Sequence, residues 1–549
     1  MATDPSREQI SGGEPILAIS ELSVTLPRGA DRPMAVDHVS LELRRGEILC
    51  LVGESGAGKS VLANAIMGAT SHGLAIAGKS SIRLCGQELV GLPDRVMRRI
   101  RGNRIAMIFQ EPTAALNPSM TAGQQIEEVF ALHSNLGPAA GRQRALALLE
   151  ATRLPDPRRI SQSYPYQLSG GECQRVVIAM AIAMAPDILV ADEPTSALDA
   201  TAQAEILSLL RELRGSLRLG ILFITHDFGV VAEIADRIAV MLAGRVVETG
   251  PAERIFADPQ HIYTRTLLEA VPSLTPPKND ANEKPLESAL LTVENLSKSF
   301  GSARVVDDVT LTLARGRTLA VVGESGAGKS TLAKTIVRLV EPSAGRVLLR
   351  AADLANLSRA ELRAQRGAVQ LIFQDPYGSL NPRRRIGEAI ARAAQLAGIG
   401  RVASRQTALG LIALVGLPRE AYDRRPSQFS GGQRQRVNIA RALAIQPEAL
   451  ILDEALTGLD VVMQARILAL LRDLQKKLGI AFMLITHDLR VAAQFSDQIA
   501  VMKGGKLLEL GPTEQVLTNP KHPYTAELLA AAPGRRAQFG KPRTGEPAS

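Results

Sequence analysis

Gly53-Glu54-Ser55-Gly56-Ala57-Gly58-Lys59-Ser60 is repeated without change as Gly323-Glu324-Ser325-Gly326-Ala327-Gly328-Lys329-Ser330. Both copies fit G-x-x-x-x-G-K-[ST], the pattern of a phosphate-binding loop. Its glycines let the backbone curl until successive N–H groups point inward and form a concave anion site. A helix that starts at the loop adds the partial positive charge of its N-terminus. Lys59 and Lys329 are then placed to reach the β- and γ-phosphates of a nucleotide, and Ser60 and Ser330 to offer a hydroxyl to Mg²⁺. Residues 47–52 and 318–322 are short apolar stretches that predict strands. Residues 61–66 and 331–336 predict helices. Strand, loop and helix in that order is the context the pattern requires, and it occurs twice.

The repeat extends beyond the loop. Lys59 pairs with Lys329, Gln110 with Gln374, Ser169 with Ser430, Glu193 with Glu454 and His226 with His487, at offsets of 270, 264 and then 261 three times. Insertions therefore fall in the first part of each unit, and the later part runs in register. A repeat of this length means duplicated domains and not a solenoid of short units. The expected organisation is a polar tail (1–13), a first unit (14–271), a Pro-rich linker (272–289), a second unit (290–533) and a basic disordered tail (534–549). Within each unit apolar strands alternate with helical segments, which predicts a parallel α/β sheet. A mostly helical stretch, about 100–185 and 360–445, reads as an inserted subdomain.

At 549 residues the chain is too long for one core, and 46% hydrophobic with 22% charged residues predicts a globular protein. The longest apolar run, Val176 to Ala185, falls short of the ~20 residues needed to span a bilayer. Met1 to Gly13 lacks the cationic start and apolar stretch of a secretory signal, so a cytoplasmic protein is expected. A net charge of +9 would suit nucleic acid or an anionic membrane face, but aromatics at 3% with no Trp argue against a surface that stacks single strands. No nucleic-acid partner is expected. Cys50, Cys85 and Cys173 are scattered and show neither metal spacing nor a disulfide framework.

Two further motifs carry chemistry. Residues 188–193 and 449–454 are apolar runs ending in Asp192-Glu193 and Asp453-Glu454, the Walker B pattern. The aspartates would hold Mg²⁺ directly or through water, and the glutamates would polarise an attacking water. Ser169-Gly170-Gly171 and Ser430-Gly431-Gly432 each open a helical segment, so hydroxyl, glycine N–H groups and helix N-terminus form a second anion site.

This ordered set resembles the nucleotide-binding domains of ATP-binding cassette (ABC) proteins, whose signature is Ser-Gly-Gly followed by Glu or Gln. The resemblance covers nearly the whole chain, twice. It implies two tandem P-loop NTPase (ABC ATPase) domains of the α/β class. Each would have a RecA-like parallel-sheet core, an N-terminal antiparallel β subdomain and an inserted helical subdomain. It also implies that the two domains meet head to tail as a pseudo-dimer within one chain, each ATP lying between one phosphate loop and the other signature. One site would combine Lys59, Ser60, Gln110, Asp192, Glu193 and His226 with Ser430, Gly431 and Gly432. The other would combine Lys329, Ser330, Gln374, Asp453, Glu454 and His487 with Ser169, Gly170 and Gly171. His226 and His487 take the family's switch position at the γ-phosphate. Gln110 and Gln374 take the position that reaches metal and water, on a loop that senses the membrane partner. Asp199 and Asp460 match the loop joining the two sites.

The continuations Leu116-Asn117-Pro118 and Leu380-Asn381-Pro382 resemble peptide and nickel importers. The unit ends, residues 261–268 and 522–529, resemble the His-Pro-Tyr motif of oligopeptide and dipeptide importer ATPases. In itself that motif reads as a cap leading into an amphipathic helix. Some relatives carry cysteines near this end for an iron–sulfur cluster. This chain has none there, and no cluster is expected. The family also places an aromatic before the first strand to stack on adenine. Phe300 fits in the second unit, whereas the first has Leu26, which predicts weaker base stacking at the first site. Ala455 stands where a Pro usually follows Walker B, and Cys173 where Arg is common.

The implied function is the ATP-hydrolysing subunit of a bacterial ABC importer, acting with ATP and Mg²⁺. Its partners would be two membrane permease subunits and a periplasmic solute-binding protein. The chain would be peripheral, at the cytoplasmic face of the inner membrane. Peptides, glutathione-like ones included, are the expected cargo, with nickel or opine-like solutes as the alternative. Tandem ABC units also occur in ribosome-associated translation factors, but those usually carry a long charged helical linker that this chain lacks.

Overall fold

The computed structural model describes residues 14–27, 32–70, 73–196, 198–277 and 289–535. The polar tail 1–13, linker residues 278–288 and tail residues 536–549 lie outside the described residues, together with the expectations made for them. The chain forms two compact units, the first built on residues up to Val271 apart from Asp199–Thr201 and the second on Pro272–Arg535.

In the first unit the strands are β1 (Leu17–Thr25), β2 (Met34–Leu43), β3 (Ile48–Val52), β4 (Ala75–Ala77), β5 (Ser81–Leu84), β6 (Gln87–Glu88), β7 (Ile105–Ile108), β8 (Ile188–Asp192), β9 (Gly220–Thr225), β10 (Arg237–Leu242) and β11 (Arg245–Pro251). They build two sheets. One is antiparallel, in the order β2-β1-β5-β6 with β4 on β1; the other runs β11-β10-β3-β9-β8-β7. Every residue of β3, β8 and β9 is buried, as a sheet covered on both faces demands. Alternate residues along Val39–Leu43 of β2 point to solvent, so that sheet has one wet face.

The second unit repeats the plan with β12 (Ala289–Phe300), β13 (Ala303–Ala314), β14 (Thr318–Val322), β15 (Ala344–Leu349), β16 (Ala352–Asp353), β17 (Val369–Ile372), β18 (Ala449–Asp453), β19 (Ala481–Thr486), β20 (Gln498–Lys503) and β21 (Lys506–Pro512). Its sheets run β13-β12-β15-β16 and β17-β18-β19-β14-β20-β21. The α/β class, the antiparallel subdomain and the helical insertion are all present.

Three details differ from expectation. The core sheets are not wholly parallel, because β11 and β21 pair antiparallel with β10 and β20. Ala243 and Gly244, at φ 48° and 90°, make a two-residue hairpin turn, and Gly504 and Gly505 make its counterpart; so short a link permits only antiparallel pairing. The stretch 100–185 also contains β7, which belongs to the core sheet, so the helical insertion proper begins at helix Ala122–His133. Finally, Phe300 does not precede the first strand of its unit but ends it, opposite Ala303. Leu26 occupies the matching place after β1, where its N–H donates to the Pro33 carbonyl at 2.9 Å.

Candidate ATP sites

Each phosphate loop leaves the C-terminal end of a central strand, β3 or β14, and runs into a helix, Lys59–Ile66 or Lys329–Ile336. Ligands of open α/β sheets bind at this edge. Two glycines are required by crowding as well as by conformation. A Cβ on Gly53 would stand 2.2 Å from the Met241 carbonyl oxygen, and one on Gly58 2.3 Å from that of Ala35, with φ at 157° and 108°. Gly323 and Gly328 meet Met502 and Val305 in the same way. The edge hairpin supports the loop too: Gly244 N–H donates to the Ala57 carbonyl at 2.8 Å, and Gly505 N–H to that of Ala327 at 3.1 Å.

The Lys59 amine donates to the carbonyls of Gly53 and Glu54 at 2.8 and 2.9 Å. Lys329 bonds Gly323 and Glu324 at 2.8 and 2.7 Å. Both lysines are nearly buried. Burial holds the Lys329 amine below its ordinary value, although the Glu454 and Asp453 carboxylates work against it. A buried ammonium among carbonyls is a site prepared for an anion.

Strands β7, β8 and β9 bring the other side chains to the same edge. Gln110 follows β7 and its amide donates to Glu193 at 3.0 Å. His226 follows β9, and its Nδ1 lies 3.0 Å from the other Glu193 oxygen. In the second unit Gln374 donates to Glu454 at 2.8 Å, and His487 Nδ1 lies 3.7 Å from that carboxylate. Glu193 and Glu454 sit at φ 48° and 47°, in the left-handed region that non-glycine residues seldom adopt. Their N–H groups donate to the carbonyls of Ile224 and Ile485 at 2.9 and 3.0 Å, which holds the turn. Strain of this kind collects at functional sites.

The two carboxyls of each acidic pair are shifted in opposite directions. Burial pushes the Asp192 carboxyl up, and the Glu193 charge adds to this against the Ser60 hydroxyl and Lys59. Asp453 is raised for the same reasons. Burial also acts on Glu193, but His226, Lys59 and Gln110 outweigh it and hold the carboxyl below its ordinary value. Glu454 is lowered, chiefly by His487. The His226 imidazole loses by burial and gains more from Glu193, so it stands above its ordinary value.

Asp192 Oδ1 is buried with no hydrogen-bond partner, and the Ser330 hydroxyl donates to Asp453 at 2.7 Å. A hydroxyl and a carboxylate oxygen side by side are donors a hard cation accepts. Among the described residues no three His, Cys, Asp or Glu form a cage able to hold a metal alone.

Ser169 caps helix Gly170–Ile182 and Ser430 caps Gly431–Leu443, each within a capping box closed by Glu172 or Gln433. Arg159 in turn pairs with Glu172. The hydroxyls of the two signature serines accept the N–H groups of Glu172 and Gln433 at 3.2 and 3.3 Å. Phe300 is 51% exposed, with the Lys298 amine 5.0 Å from its ring centroid. Leu26 is only partly exposed.

Two pairs of residues at these loops carry no role in the sequence reading. The Tyr263 hydroxyl accepts the Glu54 N–H at 3.0 Å, and the Tyr524 hydroxyl the Glu324 N–H at 3.2 Å. Glu248 and Glu509 bind the turns that precede these tyrosines. The available signal was spacing: both pairs recur at the 261-residue offset of the other site residues.

A phosphate loop, a Walker B acidic pair and a polar triangle around its glutamate, on a doubly covered sheet, define a P-loop ATPase, and the chain carries that apparatus twice. Comparison with known proteins narrows the class. The ABC transporter family model matches residues 36–196 and 306–457. That of the oligopeptide/dipeptide transporter C-terminal region matches 247–301 and 508–548. The peptidoglycan transport ATP-binding protein YejF of Agrobacterium fabrum is 43% identical over 533 residues, covering 94% of this chain and 96% of the relative. The glutathione import ATP-binding protein GsiA of Escherichia coli K12 is 42% identical over 569 residues, covering 96% of this chain and 91% of its own. Among solved structures, cbiO1 from Clostridium perfringens, part of an ABC transporter complex, covers 42% of this chain and 92% of its own at 29% identity and a TM-score of 0.40. The chain belongs to the ATP-binding proteins of ABC transporters, with two cassettes and two copies of the oligopeptide/dipeptide C-terminal region. It is an ABC-type ATPase.

Proposed function

We propose that the chain energises import of peptides or peptide-like solutes by binding and hydrolysing Mg²⁺–ATP at two sites. The observation that carries the ATPase chemistry is the recurrence of one triangle, Gln110–Glu193–His226 and Gln374–Glu454–His487, beside a buried lysine. In this reading the lysines exchange loop carbonyls for nucleotide phosphates, while loop N–H groups hold the remaining phosphate oxygens. Ser60 with Asp192, and Ser330 with Asp453, would hold Mg²⁺, which neutralises phosphate charge when bound. Gln110 and His226 orient Glu193, the base that aligns the attacking water. Gln374 and His487 do this for Glu454. Each centre is completed by the other unit's signature, Ser430-Gly431-Gly432 for Lys59 and Ser169-Gly170-Gly171 for Lys329.

Peptide-like cargo is supported by the two C-terminal-region matches and by relatives named for glutathione import and peptidoglycan transport. The same matches favour transport over the ribosomal alternative. Among the described residues no helix is long and apolar enough to cross a membrane, so separate permease subunits would provide the path. A periplasmic binding protein would supply the solute. The chain would work at the cytoplasmic face of the inner membrane. The test is reconstitution with the permeases into proteoliposomes. Uptake of a labelled peptide that requires ATP on the side bearing this chain supports the proposal, and association with ribosomes in place of a bilayer complex contradicts it.

A further inference from the structure

Helix Ile262–Glu269 begins at the His-x-Tyr motif of the first unit, and helix Pro523–Ala531 at that of the second. In each, the histidine caps the helix by accepting the tyrosine N–H on Nδ1, at 3.2 Å for His261 and 3.1 Å for His522. One carboxylate on the edge strand fixes the preceding turn. Glu248 accepts the N–H groups of Gln260 and His261 at 2.8 and 3.1 Å. Glu509 accepts those of Lys521 and His522 at 2.9 and 3.1 Å, and the Thr525 hydroxyl at 2.6 Å. The tyrosine hydroxyl held by this cap reaches the second residue of the phosphate loop. It accepts the Glu54 N–H in one unit and the Glu324 N–H in the other.

The residue it holds is the one that organises the loop. The Glu54 carbonyl accepts the Lys59 amine at 2.9 Å and the Ala57 N–H at 3.1 Å. The Glu324 carbonyl accepts Lys329 at 2.7 Å and Ala327 at 3.2 Å. One end of that residue is thus fixed by the tyrosine and the other sets the lysine. A loop this rich in glycine has much conformational freedom to lose on binding phosphate. An anchor that removes part of that freedom beforehand raises affinity by preorganisation. Tyr524 is nearly buried, and burial pushes its hydroxyl up to about 12, so it remains the neutral partner of the amide.

We infer that Tyr263 and Tyr524 are positioning residues for ATP, each locking the phosphate loop of its own unit through the Glu54 or Glu324 peptide. The His-x-Tyr end of each unit then serves its nucleotide site and is more than a helix cap. This rests on the phosphate loops being ATP sites.

The test uses the full chain with one phosphate loop silenced. Tyr263→Phe is made in a Lys329→Ala background and Tyr524→Phe in Lys59→Ala. Mg²⁺–ATP affinity, KM, kcat and the nucleotide-free melting temperature are then compared with the matching background. The expected result is a rise of about fivefold in ATP Kd and KM, the loss of one ordinary hydrogen bond, with kcat at saturating ATP and the nucleotide-free melting temperature unchanged. Unchanged ATP affinity in both Phe variants overturns the inference and leaves the ATPase assignment standing. A loss of affinity matched by a drop in nucleotide-free stability overturns it as well, since the role would then be structural. Failure of the parent chain itself to bind ATP would overturn the ATP sites and the inference together.

Discussion

Glu193 and Glu454 show what a single residue position can hide. Their place after an apolar strand was legible, because a run such as Ile188 to Ala191 ending in two carboxylates follows a phosphate loop in each unit. Their left-handed backbone was not, since no residue preference points a glutamate toward φ 48°. That conformation aims the carboxylate at Gln110 and His226, 83 residues before and 33 after it. The proposed adenine contact rests on local sequence. Phe300 is half-exposed with the Lys298 amine over its ring, and Leu26 stands in its place after β1. Phe300→Ala should weaken ATP at the Lys329 site by about 1–3 kcal/mol, the usual worth of an aromatic stacked on a base. Leu26→Ala should cost the Lys59 site well under half of that. Nucleotide binding in single-site backgrounds checks both, and equal losses would show that the sites grip adenine alike.

At the scale of elements, strands β3, β8 and β9 and the helices after each phosphate loop could be read directly, because buried apolar runs and helix-starting loops carry strong patterns. The edge strands β11 and β21 escaped, as their direction is set by a two-residue turn and not by their own composition. These strands carry the carboxylates that pin the C-terminal helices. Glu509 is pushed up by burial but lowered further by the Lys521 and His522 N–H groups and the Thr525 hydroxyl, so its folded value lies below the ordinary 4.5. A lowered carboxylate stabilises the fold above its ordinary pKa, and that contribution is lost as pH falls through the folded value. Glu509→Gln should therefore reduce stability by about 1–2 kcal/mol at neutral pH. The gap to the parent chain should close as pH drops below 4.5. Nucleotide-free melting across that range reads the effect, and a gap independent of pH would show that packing, not charge, is what Glu509 supplies.

For the whole molecule, the duplication was plain from the offsets alone, and the shift from 270 to 264 marks the surplus in the first unit. Within that interval the first unit has two separate short strands, β4 and β5, on β1, whereas in the second β15 alone makes both pairings, Ala344 with Ser297 as Ala77 pairs with Ser23. The tyrosine contacts could not be foreseen, because they join residues 209 and 200 positions apart. The proposed exchange of signatures between units rests on resemblance alone, and its consequence is specific. Ser169→Arg should impair ATP turnover at the site built on Lys329 and spare the one built on Lys59. Nucleotide trapping in single-site backgrounds reads this, and loss beside Lys59 instead would mean each unit uses its own signature.

The central claim is that Glu193 and Glu454 drive hydrolysis at two nucleotide cradles. The most direct measurement is ATP binding and turnover by the chain carrying Glu193→Gln and Glu454→Gln together. ATP affinity should stay at the parent level while hydrolysis falls by ~10²–10⁴-fold. Hydrolysis at the parent rate in that double variant would contradict it.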